Sequence, residues 1–239
     1  MKKNIISLCG AAAVLACATS AYATPTLYIT DGVNAATIAD GSGGDTVGLA
    51  GAIGWTGGVG SWTVNILGGL VIGPSSNPDI DLSFNDLFTG GANNTITIAF
   101  LSDGYTTGNF GGLASIGGTL GSGVTLTYQT FAQNGSTAAT TFGGSTLNLA
   151  GWTGLTPLQV FTATPFSGAS SGGLLPPPGG NPFELLQVVT ITAPSSSRAN
   201  QSSGDAHLTA VPDGGSTLML LGSGLTALAF FRRSFKSKA

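Results

Sequence analysis

Charge is what this sequence has least of. Only 7% of its 239 residues are Asp, Glu, Lys or Arg, against about a quarter in an ordinary soluble domain. The scarcity is uneven. Lys2 and Lys3 open the chain, and Arg232, Arg233, Lys236 and Lys238 close it. Between Thr24 and Val211 the single cation is Arg198, set against nine acids, for a net charge of −8. Such a body cannot neutralise a phosphate backbone, which excludes nucleic acid as a partner. It equally excludes docking of the body on an anionic membrane surface. Cysteine is nearly absent: Cys9 and Cys17 both precede Ala23. A chain cut after Ala23 has no thiol for a disulfide, for nucleophilic catalysis or for a metal. Histidine occurs once, at His207, and a zinc site wants several His or Cys ligands.

What is present falls into three parts. Residues 1–23 read as a secretory signal peptide: Lys2 and Lys3 form the positive n-region, Ile5 to Ala18 the apolar stretch, and Ala21 and Ala23 the small residues that signal peptidase inspects. Val14-Leu15-Ala16-Cys17 loosely resembles a lipoprotein box, which leaves lipidation of Cys17 as the alternative fate of this segment. At the other end, Ser216 to Phe231 is 16 residues without a charge. At about 1.5 Å per residue it reaches roughly 24 Å, short of a hydrocarbon core of about 30 Å. Arg232 and Arg233 can snorkel to cover part of the difference. Their cluster belongs on the cytoplasmic side, so the acidic body is expected outside the inner membrane.

Immediately before the apolar segment stands Val211-Pro212-Asp213-Gly214-Gly215-Ser216. Pro212 restrains its neighbours and the two glycines keep the backbone open, a peptide suited to a protease or transpeptidase cleft. Val-Pro-Asp-Gly-Gly-Ser, an apolar segment and then Arg232-Arg233 resemble the PEP-CTERM family of bacterial sorting signals, in its Val-Pro-Asp (VPDSG-CTERM-like) variant. The resemblance covers about 25 residues of residues 211–239. It implies recognition of Val211, Pro212 and Asp213 by an exosortase, an integral-membrane cysteine transpeptidase, with Arg232 and Arg233 as the stop. It also implies release or transfer of the body to the cell surface or exopolysaccharide layer. Proteins with such tails are sometimes labelled as having an ice-binding-protein C-terminal domain, a label for the tail alone.

Residues 24–193 form the expected body. Period-two runs recur: Trp62–Ile66, Ile80–Phe84, Asn94–Phe100, Val124–Gln129 and Gln187–Thr192, with shorter candidates at Leu27–Thr30, Thr146–Leu149, Val160–Thr164 and His207–Ala210. Alternation with β-branched residues is the strand signature. Asp31-Gly32, Asp40-Gly41, Asp103-Gly104 and repeated Gly-Gly pairs (Gly57-Gly58, Gly68-Gly69, Gly90-Gly91, Gly117-Gly118, Gly143-Gly144) read as turns between them. The fold expected is all-β, an antiparallel, jelly-roll-like β-sandwich, with a β-helix or solenoid as the alternative. Residues 194–210 read as a Ser-rich spacer or as a last strand.

The chemistry expected of the body is sparse. A Ser-His-Asp triad would have to use His207, four residues before the sorting motif. Glu184 is the one Glu, and most Asp residues sit at turn positions, which argues against a paired-carboxylate glycosidase. Asp40, Asp45, Asp79 and Asp81 are the weak calcium candidates, as hard oxygen ligands without an EF-hand pattern. Trp55, Trp62 and Trp152 could stack on sugars but read better as core. Thr-x-Thr at Thr95/Thr97, Thr125/Thr127, Thr162/Thr164 and Thr190/Thr192 could order ice-like water but reads better as β-propensity. The expectation is an exported, non-enzymatic surface or matrix protein without cofactor, with a carbohydrate- or ice-binding domain as the alternative and a secreted hydrolase as the third.

Overall fold

The structure, a computed structural model, describes residues 24–72, 78–105, 110–134, 141–174, 182–195 and 199–212. The expected signal peptide, including Cys17, Ala21 and Ala23, lies outside the described residues, as do Asp213, Gly214, Gly215, the apolar segment, Arg232 and Arg233. Thirteen strands follow in chain order: β1 (Pro25–Thr30), β2 (Ala35–Ala39), β3 (Ala52–Val59), β4 (Trp62–Val71), β5 (Asp79–Phe88), β6 (Thr95–Tyr105), β7 (Phe110–Thr119), β8 (Thr125–Asn134), β9 (Thr153–Gly154), β10 (Gln159–Phe161), β11 (Phe166–Leu174), β12 (Phe183–Thr192) and β13 (Asn200–Pro212).

They form two sheets. The first runs β10-β8-β12-β6-β1-β2, with β9 also paired to β8, and the second runs β11-β7-β13-β5-β4-β3. Every ladder is antiparallel. A parallel β-helix, the alternative architecture, is thereby excluded. The chain changes sheets at each step from β5 to β8 and again from β11 to β13, so most neighbours within a sheet are distant in sequence.

The alternating strands bury one face each. In β5, Ile80, Leu82, Phe84 and Phe88 point inward; in β6, Ile96, Ile98 and Phe100 meet them from the other sheet, together with Trp62, Val64 and Ile66 of β4. One polar side chain bridges this core. Gln187 of β12 accepts from the Tyr128 hydroxyl at 3.0 Å and donates to the Ile80 carbonyl at 2.9 Å, joining the two sheets with its amide satisfied at both ends. A second, smaller cluster lies on the outer face of the first sheet. There Phe142 stacks on Tyr28 at 5.0 Å, and Leu147, Leu149 and Trp152 pack over Ala99, Leu101 and Leu186.

Three expectations about local structure change. Gly57-Gly58, Gly68-Gly69 and Gly117-Gly118 are not turns but lie inside β3, β4 and β7. At three of these six glycines another group occupies the place of a side chain: a Cβ on Gly57 would stand 2.3 Å from the Trp55 ring, one on Gly69 would stand 2.5 Å from the buried Phe100 ring, and one on Gly118 would stand 2.1 Å from the Ser203 carbonyl oxygen. Asp103-Gly104 likewise lies within β6, at an irregularity in its pairing with β12. Thr146–Leu149 is not a strand; its leucines face the outer cluster instead of a ladder. The Ser-rich segment leads into β13, which is flanked on both sides, by β7 and by β5. The sandwich therefore extends to Pro212.

Candidate functional site

The outer face of the second sheet carries an open groove of about 1110 Å³. Its floor is small because β7 and β11 supply Ser115, Gly117 and Gly118, and Ser167, Gly168 and Ala169, where neighbouring strands would carry bulkier side chains. Its polar side is built by β5 and β13, which contribute Asp81, Asp205 and His207. The strand period puts them together: Asp79 and Asp81 alternate with inward Ile80 and Leu82, and Asp205 and His207 alternate with inward Ala206 and Leu208.

His207 stands opposite Asp81 on one side and Ser115 on the other. Its Nε2 is 2.5 Å from Asp79 Oδ1. Asp79, His207 and Ser115 thus occupy three adjacent strands in the order of a relay. Ser115, however, makes no hydrogen bond to the ring among the described residues, and the strand holding Gly117 and Gly118 is paired on both sides, to β11 and to β13. Burial pushes the Asp81 carboxyl up, and the Asp205 carboxylate pushes it further, against the opposing pull of His207. The groove is therefore a polar trough with carboxylates at one side, suited to accepting hydrogen bonds from ligand hydroxyls.

The other sequence-derived candidates fall elsewhere. Asp45 accepts the backbone N–H groups of Gly41, Val47 and Gly54 at 2.9 to 3.1 Å, and Asp40 accepts that of Gly51 at 2.7 Å. Desolvation raises the Asp45 carboxyl, but these amides outweigh it and hold it below its ordinary value. Both side chains close the 40–54 loop, while Asp79 and Asp81 lie on β5. Among the described residues no group of three or more His, Cys, Asp or Glu is placed to hold a metal ion. Trp62 is buried, with its Nε1 donating to the Asn93 carbonyl; Trp152 and Trp55 pack on the two clusters. Three of the four Thr-x-Thr pairs align on the outer face of the first sheet, where Thr95 meets Thr192 at 3.1 Å and Thr97 meets Thr190 at 3.3 Å. They are cross-strand hydroxyl pairs of the ladder; Thr162 and Thr164 lie beyond β10.

The sequence reading did not single out Ser115 or Asp205. The signal for Asp205 was parity: it is two residues from His207, on the same face of any strand through both. The start of the sorting motif is the other functional element. Val211 and Pro212 are the last two residues of β13, paired with Gly111 and Phe110 of β7.

A family model described as the VPDSG-CTERM motif matches residues 210–235. That signal implies export, targeting to the cell surface and handling by processing machinery of the exosortase kind. The class defined by fold and motif together is thus an exported protein with a two-sheet antiparallel body and a C-terminal sorting signal. No curated protein sequence matches the chain. Among solved structures, the chain is similar to the adhesin domain of Epf from Streptococcus pyogenes, with 9% identity over 79% of this chain and 59% of that one, and a TM-score of 0.45. It spans 59% of that chain, less than two thirds. It is also similar to the cleaved adhesin domain of Lys-gingipain from Porphyromonas gingivalis (14% identity, 63% of this chain, 83% of that one, TM-score 0.30). A third similarity is to the family 11 carbohydrate-binding module from Clostridium thermocellum (8% identity, 79% of this chain, 96% of that one, TM-score 0.29). No helix among the described residues is long and apolar enough to cross a membrane.

Proposed function

We propose that this is a non-enzymatic surface or exopolysaccharide-matrix protein. Its precursor is cleaved by signal peptidase after Ala23 and held in the inner membrane by residues 216–231, with Arg232 and Arg233 on the cytoplasmic side. An exosortase then cuts near Val211–Gly215. The observation that carries this reading is the VPDSG-CTERM match at 210–235. Mass-spectrometric mapping of both mature termini in membrane and extracellular fractions tests it. The expected result is a membrane form that starts at Thr24 and retains Arg232, and an extracellular form that ends near Pro212. Deleting residues 213–239 should move the protein out of the membrane fraction. An extracellular form with its tail intact, or an unchanged membrane fraction after the deletion, overturns the reading.

Within the mature protein, the groove on the second sheet is the surface proposed to hold a polyhydroxylated glycan of the matrix. The carboxylates of Asp81 and Asp205 accept from vicinal hydroxyls, and the glycine and serine floor lets a flat sugar ring approach the sheet. A polar contact of this kind is worth about 1 kcal/mol, so Asp205→Ala should weaken co-sedimentation with the host's exopolysaccharide several-fold. Binding unchanged by both Asp205→Ala and Asp81→Ala would remove the groove from the reading.

A further inference from the structure

The sorting motif begins inside the folded sandwich. On the β5 side the last rung of β13 is Thr209 opposite Asp79. On the β7 side the ladder continues for three more residues: Ala210 opposite Gly112, Val211 opposite Gly111 and Pro212 opposite Phe110. Among the described residues the tip of β13 pairs on one side only, as Asn200–Ser202 do at its other end, whereas Ser203–Thr209 pair on both. Gly111 is itself paired on its far side, to Leu174 of β11, so the partner of the tip is held.

Two features weaken this tip. It faces two glycines in β7, which offer no side chains for cross-strand pairing. It also ends on Pro212, which cannot donate to a ladder, so the pairing stops there. A peel from Pro212 back to Ala210 would halt at Thr209, where β5 joins and the pairing becomes two-sided. Downstream, only residues 213–215 separate the sheet from the apolar segment, a reach of about 10 Å at most.

We propose that the three-residue tip of β13 is a latch on sorting. Resting on the reading given above, Val211 and Pro212 are part of both the sheet and the recognition motif, and cannot serve both at once. A transpeptidase cleft that takes the motif as an extended peptide needs these residues free of β7. Processing therefore waits on opening of the tip, while the rest of the sandwich stays folded and is delivered folded. The cut itself needs only the enzyme's cysteine and water or an acceptor amine. The acyl side of the amide passes to the thiolate and then to that acceptor, and the amine side leaves with the tail.

Two variants of the full chain in its own host move the latch in opposite directions. Inserting Gly-Ser-Gly-Ser between Ala210 and Val211 leaves every rung through Thr209 and the whole motif intact, but carries the motif off β7. Two ladder bonds at about a factor of five each, partly replaced by the insert, make the expected gain in pulse-chase processing rate roughly ten-fold. Gly112→Ala acts the other way. Its Cβ would lie 3.4 Å from Leu208 of β13 and 3.8 Å from Leu155, ordinary contact without crowding. Position 112 lies opposite Ala210, so the added methyl supplies a cross-strand pair that glycine withholds, and processing should slow about two- to five-fold. Hydrogen exchange on the full chain in detergent gives a readout that needs no enzyme. Successive residues of an antiparallel strand point their N–H groups to opposite sides, so one of the Ala210 and Val211 amides faces β7 and should be protected. Cleavage at equal rates in all three chains, or no protection at either amide, overturns the inference alone. A parent chain that is never cleaved in its host overturns the sorting reading and the latch with it.

Discussion

The folded body loses stability as pH rises from about 4 to about 7, and Asp86 is the cause. It lies on β5 at a position that points inward, is 1% exposed, and neither of its carboxylate oxygens has a hydrogen-bond partner. Its cross-strand neighbours are Val64 and Ser202, and the Ser202 hydroxyl is buried and unpartnered as well. Burial pushes the Asp86 carboxyl from 3.8 up to about 7. The folded state therefore holds this proton over a range in which the unfolded chain has already released it. Its full contribution is present below 3.8, declines between 3.8 and about 7, and is constant above. At about 1.4 kcal/mol per pH unit, the loss is about 4 kcal/mol. Asp31 and Asp45 work in the other direction and at lower pH. Desolvation raises each, backbone and side-chain hydrogen bonds outweigh it, and the net lowering gives stability that is lost only as pH falls below the ordinary carboxylate range. Chemical denaturation should thus show a stability maximum near pH 4 to 5. In Asp86→Leu most of the decline should vanish, leaving the smaller part due to the raised Asp81 carboxyl, and that variant should exceed the parent at pH 8 by several kcal/mol. Parallel pH profiles for the two chains would refute the assignment.

Gly118→Ala should cost about 3 kcal/mol, a large penalty for one added methyl group. The methyl would lie 2.1 Å from the Ser203 carbonyl oxygen and 2.8 Å from the Gly204 Cα, and both are backbone atoms of β13 that no rotamer change can move aside. Relief requires β7 and β13 to separate. Those two strands form the floor and the polar side of the groove, so the variant should also lose glycan retention. Gly117→Ala on the same strand is the control, because its nearest neighbours stand at 3.5 and 3.9 Å. Equal unfolding midpoints for the two variants would contradict the close approach.

The contrast between these two glycines bears on how much was legible beforehand. β4, β5, β6, β8 and β12 could be read from alternation because each carries its own large apolar residues, such as Phe84 or Phe100. β7 and β11 could not. Phe110-Gly-Gly-Leu-Ala-Ser-Ile-Gly-Gly-Thr119 and Phe166-Ser-Gly-Ala-Ser-Ser-Gly-Gly-Leu174 have few side chains to alternate, and at Gly118, Gly168 and Gly172 a neighbouring strand, loop or ring fills the space a Cβ would take. A Gly-Gly pair at a hairpin tip and one inside a closely approached strand look alike in sequence, and only the neighbour distinguishes them. The groove was hidden for the same reason, since its floor consists of those two strands. Asp86 was visible in principle: counting by twos from Ile80 through Leu82 and Phe84 lands on it. His207 was seen but placed beside a linker, because pairing with Asp79, 128 residues away, has no local signature.

The position of β13 has a consequence for the order of assembly. It comes last in the chain order of the sandwich yet lies between β7 and β5, so before it arrives the second sheet is two separate fragments, β11-β7 and β5-β4-β3. Neither fragment can close the sandwich over the first sheet without it. Closure is then a single late event that joins residues more than 80 positions apart, as in Ser203 opposite Thr119, and folding dominated by such distant pairings is slow. A nascent chain of this design stays open, and so threadable, until its final strand has emerged. The same strand that ends in the delivery signal is the one that turns the polypeptide from a thread into a body.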